Sequence, residues 1–479
     1  MKKASVVIVI SFAGSAGIAC GGGSTMPGSV TPKLPAPAWD WASVIGTGQS
    51  LSVGVMGVLE STDPESVRAE TPMFDNLKLS LGTLAVPPIP DPTAAIAGGE
   101  LSMLPLVEPI RPLSSGTVEW PNNIFGGTPH TAMADTITAL YQAAGGADYV
   151  TAHTVVGESG KGMQYIQKGA MDDGTEGRAY AASMFEVQAI HGLAIAAGKT
   201  HGVGAVVITH GEADSGNTEY EDELFQMQQD YTADAQAATG QTEPVLLLTS
   251  QQNSVPNMPV GMGSISTLAE WQVGLDHPGL TICTGPKYQY PYFSDGIHLT
   301  VHGYDLLGEK YGEVYHHAVV LGEAWQPLQP VSATASGNVI SVKFHVPVGA
   351  LAWDDAAVPP QGVPAAWASG RGFEVTLTSA PETIVSVAIT GAAMDTVEIT
   401  CADVIEGGYA SVAYAYTGAT AITQTLQPDG YTYVNTTYRW GQLRDSDPFV
   451  GALTQLPQPN YAVAFSVKIP YASPVPVTN

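Results

Sequence analysis

The sequence is short of positive charge. Lys and Arg number 17 against 44 Asp and Glu, a formal net charge of −27. Such a surface repels phosphate backbones, so no nucleic-acid partner is expected. Cysteine is scarce too, three in 479 residues, too few for a disulfide scaffold. Cys283 and Cys401 are the one candidate pair, and the sequence leaves open whether they meet. No HExxH and no Cys/His spacing marks a metal site, and no cofactor is called for. No internal repeat is evident. What is abundant is Gly (53) and Pro (35), which implies many turns and long loops, as in secreted enzymes. Apolar residues, 44% of the chain, suffice for packed cores, and the length allows two or three domains.

The N-terminus carries an export pattern. Lys2 and Lys3 precede Ala4–Ala19, an apolar run too short to span a bilayer comfortably. Cys20 follows Gly17-Ile18-Ala19, and Gly21-Gly22-Gly23-Ser24 comes next. Residues 1–20 resemble a bacterial lipoprotein signal in which Cys20 is lipidated, although Gly17 stands where that family usually has Leu. The alternative is an ordinary secretory signal cut near Ala19. Both place the mature protein outside the cytoplasm, either anchored in the bacterial cell envelope or secreted. Residues 21–38 read as a flexible tether, and a lipid at Cys20 would be its only membrane contact.

From residue 39 onward, apolar strands alternate with amphipathic helices. Strands are expected at Ser43–Gly48, Asp148–Val156, Gly204–Thr209, Val245–Thr249 and Leu280–Cys283. Helices are expected at Thr128–Gly145, Arg178–Ala197, Asn217–Thr239, Ser264–Leu275 and Val301–Leu321. This pattern predicts an α/β fold, a flavodoxin-like parallel sheet with helices on both faces. Residues 58–127 lack a period and are rich in Pro. Such long stretches are either disordered or functional, and this one is expected to line a cleft.

The polar clusters fall at the C-terminal ends of the strands, where open α/β sheets bind ligands. Gly48-Gln49-Ser50 follows the first strand, with Ser52 a competing hydroxyl. Gly157-Glu158-Ser159-Gly160-Lys161-Gly162 follows the second, and its spacing does not fit a phosphate loop. His210-Gly211-Glu212-Ala213-Asp214 follows the third. Asp295-Gly296-Ile297-His298-Leu299-Thr300 sets an acid and an imidazole three residues apart before the last helix. His191 is expected to pack, and His302, His316 and His317 to lie on the surface.

Ser50, Gly160, the 211–214 block and Asp295-x-x-His298 occur in the order seen in SGNH (GDSL-like) hydrolases. Gly48-Gln49-Ser50 and His210-Gly211-Glu212 resemble the branch holding sialate O-acetylesterases and acetylxylan esterases. The resemblance covers roughly residues 43 to 320. It implies that Ser50 is the nucleophile, His298 the general base, and Asp295 the group that orients the imidazole. It also implies an oxyanion hole from the N–H groups of Ser50 and Gly160. The family often adds an Asn side chain, but the matching position is Ala213. In the esterase branch a Gln stands before the Gly-Glu; His210 holds that slot and is the candidate substitute, with packing at a strand end as the alternative.

From Trp325 the period changes to two. Short alternating strands near Ile340–Val346, Phe373–Leu377, Ile384–Ile389, Val397–Cys401 and Tyr461–Val467 predict an antiparallel β-sandwich. Expected boundaries are therefore 39–324 for the hydrolase part and 325–479 for the sandwich. Tyr431, Tyr433, Tyr438 and Trp440 form either a sugar-stacking platform or core. The resemblance implies an exported serine esterase acting on acylated, chiefly acetylated, carbohydrate or another small ester. The alternatives are a lipase or general carboxylesterase, and an inactive carbohydrate-binding surface lipoprotein.

Overall fold

The computed structural model describes residues 34–57, 72–80, 92–108, 126–172, 175–176, 178–254, 262–293, 295–356, 369–378, 380–405, 408, 410–417, 419–420, 424–425, 432–433 and 437–474. The expected signal with Cys20, most of the expected tether, much of the 58–127 stretch and Tyr431 lie outside these residues.

A seven-stranded sheet forms the centre of the first part. Its strands are β1 (Trp41–Gly48), β2 (Leu77–Leu79), β3 (Met103–Pro105), β4 (Thr151–Gly157), β5 (His201–Thr209), β6 (Leu246–Gln251) and β7 (Thr281–Pro286). The order is β3-β2-β4-β1-β5-β6-β7. All neighbours run parallel except β2 and β3. Without the two short edge strands, the five long ones are arranged 2-1-3-4-5, the doubly wound order. β2 and β3 come from the stretch that the sequence reads as irregular. They are only three residues each, too short to leave a period.

The strands are continuous apolar runs because both faces are covered. β1, β4, β5 and β7 are buried along nearly their whole length. On one face lie α1 (Pro129–Ala143) and α5 (Val301–Tyr315), packed on each other. On the other lie α2 (Arg178–Ala196), α3 (Tyr220–Thr239) and α4 (Ile265–Asp276). The helix ends follow local chemistry. Thr128 caps α1 by accepting from the His130 N–H, Thr300 caps α5 by accepting from the Gly303 N–H, and Gly240 ends α3 in the left-handed region.

The second part is antiparallel. Its first strand is β8 (Gln329–Ser336), followed by β9 (Val339–His345), β10 (Phe373–Leu377), β11 (Ala380–Glu382), β12 (Ile384–Thr390), β13 (Thr396–Cys401), β14 (Ala410–Tyr414), β15 (Phe465–Lys468) and β16 (Tyr471–Ala472). One sheet runs β12-β13-β9-β8-β16 and the other β11-β10-β14-β15. Ile340, Val342 and Ile399 of the first share a core with Val375, Val412 and Phe465 of the second. This is the sandwich arrangement.

Trp271, Leu275, Cys283 and Tyr288 from the α/β part belong to that same core, and residues 35–479 form one compact unit. Polar bonds join the two parts as well. The Gln251 amide exchanges two hydrogen bonds with the Ala464 backbone, and Trp271 Nε1 donates to Gln329. Cys283 and Cys401 are buried and free.

One histidine departs from the sequence reading, and at Trp440 the core alternative applies. His316 is buried rather than on the surface: it opens a π-helical turn, His316–Val320, that continues α5 and packs against α1. Trp440 is buried in the shared core, so it offers no exposed face for stacking.

Candidate active site

The turn that carries Ser50 begins with a glycine that no other residue can replace without strain. Gly48 closes β1 at φ +135°, and a Cβ there would sit 2.2 Å from the Thr209 carbonyl oxygen. The chain then turns tightly. The Ser52 N–H and hydroxyl both reach back to the Gln49 carbonyl, and the Val55 N–H donates to the Ser50 carbonyl. This engages Ser52 in the turn and leaves the Ser50 hydroxyl available at the strand end.

The acid and imidazole sit on a closed loop before α5. The Phe293 N–H donates to the His298 carbonyl, and the Thr300 N–H to the Pro291 carbonyl. Asp295 Oδ1 accepts from the N–H groups of Ile297 (2.9 Å) and His298 (3.0 Å), which fixes the carboxyl. Its Oδ2 lies 2.6 Å from His298 Nδ1. His298 Nε2 lies 2.8 Å from Ser50 Oγ, across 248 residues of sequence. Burial pushes the Asp295 carboxyl up. The bonds and charge of His298, with the two N–H groups, outweigh that and hold it below the usual carboxylate range. An ionised carboxylate only accepts, so His298 Nδ1 carries a proton and Nε2 is free to accept from Ser50. The structure brings Ser50, His298 and Asp295 into one relay.

Gly160 lies on the turn after β4 at φ +72° and is exposed. This turn is tied to the loop that carries Ser50, since the Glu158 N–H donates to the Gly48 carbonyl. No described residue accepts from the N–H of Ser50 or of Gly160. These are donors with open valence, as an oxyanion hole requires.

His210 does not supply a further donor. Its Nε2 lies 3.0 Å from the Lys161 carbonyl, an acceptor only, so that nitrogen carries the proton and gives it to Lys161. Its Nδ1 lies 2.8 Å from the Tyr220 hydroxyl and accepts from it. Burial holds its pKa below the ordinary value, so the ring is neutral. With both nitrogens engaged, His210 joins the β4 turn to α3.

Two features escape a sequence reading. Gln49 Oε1 accepts from the Ala213 N–H at 3.2 Å, so the residue beside Ser50 ties the end of β1 to the loop after β5. Beneath that loop, Glu212 and Lys287 form a fully buried ion pair at 2.9 Å. Glu270 accepts from the Gln252 N–H, and its carboxyl is pushed well up by burial. A lone Lys in the aromatic run 284–293 was the available signal for this cluster. Among the described residues no group of acidic, His or Cys side chains could hold a metal ion.

No family model matches the sequence, and neither does any curated protein. Among solved structures, the chain is similar to a carbohydrate acetylesterase from Xanthomonas citri, with a TM-score of 0.48 and 13% identity, over 89% of this chain and 81% of that one. It is also similar to a protein from Arabidopsis thaliana, with a TM-score of 0.39 and 16% identity, over 58% of this chain and 98% of that one. A third is NanS, with a TM-score of 0.36 and 10% identity, over 59% of this chain and 98% of that one.

Proposed function

We propose that the chain is an exported serine esterase of the SGNH (GDSL-like) type that removes O-acyl, chiefly O-acetyl, groups from a carbohydrate. The observation that carries this reading is the unbroken relay from Ser50 Oγ through His298 to Asp295, with lengths of 2.8 and 2.6 Å. Such a relay activates a serine hydroxyl for attack on a carbonyl. Ser50 Oγ attacks an ester carbonyl while His298 Nε2 takes the hydroxyl proton. Asp295 stabilises the imidazolium that results. The N–H groups of Ser50 and Gly160 receive the oxyanion, each contributing roughly 3–4 kcal/mol to lowering the barrier. His298 then protonates the leaving sugar hydroxyl. In the second half, water loses a proton to His298 and attacks the acyl-enzyme, and Ser50 is regenerated with release of the acid.

Acetyl on a sugar is the preferred substrate because of the Gly48-Gln49-Ser50 and His210-Gly211-Glu212 blocks. A small neutral acyl group also needs no cationic pocket, in keeping with the acidic composition. The reading includes a hydrolase part at 39–324, a sandwich at 325–479, and anchoring through Cys20. Acetate release from a panel of acetylated polysaccharides tests the substrate class. Nitrophenyl esters of rising chain length test the acyl group: fastest turnover of acetate supports the proposal, and fastest turnover of long chains makes the protein a lipase. Detergent partition of the full chain, lost in Cys20→Ser, tests the anchor.

A further inference from the structure

A cavity of about 320 Å³ lies at the seam of the two parts, walled on one side by Gln289, Tyr290 and Leu306 and on the other by Asp354, Arg444 and Tyr461. That volume is at the lower end of the roughly 300–1,000 Å³ typical of small-molecule sites. It suits one or two pyranose rings. We propose that this cavity is a second carbohydrate site, which holds a neutral sugar unit of the glycan away from the ester being cleaved.

The chemistry of the walls selects this ligand. Asp354 and Asp447 face a single guanidinium, so phosphate and other anions are disfavoured. Arg444 in turn disfavours a cation. Tyr290, Leu306, Pro457 and Tyr461 give the walls apolar faces, but an acyl chain would leave Asp354, Asp447 and Arg444 desolvated without hydrogen-bond partners on the ligand. What remains is a neutral molecule with many hydroxyls. Carboxylates accept from such hydroxyls and a guanidinium donates to them in a planar fork. Arg444 has that capacity: Nη1 donates to the Asp445 carbonyl and Nε lies 3.9 Å from Asp354, while Nη2 has no acceptor among the described residues. The Tyr461 hydroxyl donates to Asp354 and so fixes both the ring and the carboxylate.

The cavity is held open by a strap, residues 445–461, pinned to α5. Glu309 accepts from the N–H groups of Leu453 and Thr454, from the Thr454 hydroxyl and from the Gln458 amide. Lys310 donates to Glu313, to the Gln458 carbonyl and to Asn460. Both are buried. One wall therefore belongs to the loop that leads into Asp295 and to the helix that follows His298. A glycan bound there is held against the same elements that carry the relay. Binding energy from a remote sugar unit would then favour polymeric substrates.

The place of this site in the reaction rests on the esterase reading, but the binding itself does not. The test uses full-length Ser50→Ala protein and calorimetry with neutral xylo-, manno- and cello-hexaoses, and with oligogalacturonate as the charged control. At least one neutral hexaose should bind and oligogalacturonate should not. Arg444→Gln, and separately Leu306→Trp, which fills the cavity from the helix side, should weaken that binding at least tenfold in proteins with unchanged circular dichroism. The same hexaose should not compete with nitrophenyl acetate in the Ser50 protein. The proposal is overturned if no neutral hexaose binds, if binding ignores both substitutions, or if the sugar competes with nitrophenyl acetate. Failure of the unsubstituted protein to hydrolyse any ester would remove the esterase reading while leaving sugar binding intact.

Discussion

The two ends of the sequence bury polar groups to opposite effect. At the carboxyl edge of the parallel sheet, the polar groups leave valences open. Ser50 and Gly160 present N–H groups that nothing described accepts, and the Ser50 hydroxyl meets only the imidazole that would deprotonate it. At the seam with the sandwich, Glu309 takes four hydrogen bonds, and the three donors of Lys310 each meet an acceptor. Burial alone therefore does not mark a reactive site, because Glu309 and Lys310 are more deeply buried than Asp295 or His298. Unmet hydrogen-bonding capacity beside a relay does mark one. A saturated buried network marks a fastening.

The sharpest way to break this contrast is to remove the hydroxyl. Ser50→Ala should lower kcat on nitrophenyl acetate by at least about 10⁴-fold, since losing one member of such a relay costs nearly as much as losing all. Stability measured by urea should change by less than about 1 kcal/mol, because the backbone of the turn stays. Asp295→Asn should follow, with a loss of up to roughly 10⁴-fold through the wrong imidazole tautomer. In both variants the catalytic rate, not the fold, should respond.

The fastening should respond the other way. Glu309→Ala leaves the Leu453 and Thr454 N–H groups, the Thr454 hydroxyl and the Gln458 amide without their acceptor. It should cost about 3–5 kcal/mol of stability in urea titration, since each buried donor left unmet costs roughly 1–3 kcal/mol and water entering the space offsets part of that. The smallest effect is a pH dependence. Burial pushes the Glu313 carboxyl up to about 7 from an ordinary 4.5, with Asp447 adding to the rise and Lys310 opposing it. The folded state then holds the proton more tightly than the unfolded state does. The contribution to stability is full below about pH 4.5 and is lost as pH rises through about 7. Glu313→Gln should flatten melting temperature against pH across that window.

Much of the α/β part was legible because its signals are local. Strands buried on both faces read as apolar runs, and the Gly48-Gln49-Ser50 and Asp295-x-x-His298 blocks carry their roles in residue type and spacing. His210 was harder. Its type allows donation, but only the positions of Tyr220 and the Lys161 carbonyl show that both nitrogens are engaged. His316 sits on a helix whose burial is decided by segments far along the chain. The strap was invisible for the same reason: Glu309 and Lys310 are ordinary helix residues until Gln458 and Asn460, some 150 residues later, fold onto them. Whether Cys283 and Cys401 pair was open in the sequence. They enter one core and remain two thiols.

A fluorophosphonate forms a covalent bond only with a serine whose proton a neighbouring base can remove, so it queries the relay itself. Peptide mapping of the labelled native protein should find the adduct on Ser50, and His298→Ala should abolish it. An unlabelled native protein, or an adduct that persists in His298→Ala, would contradict the account.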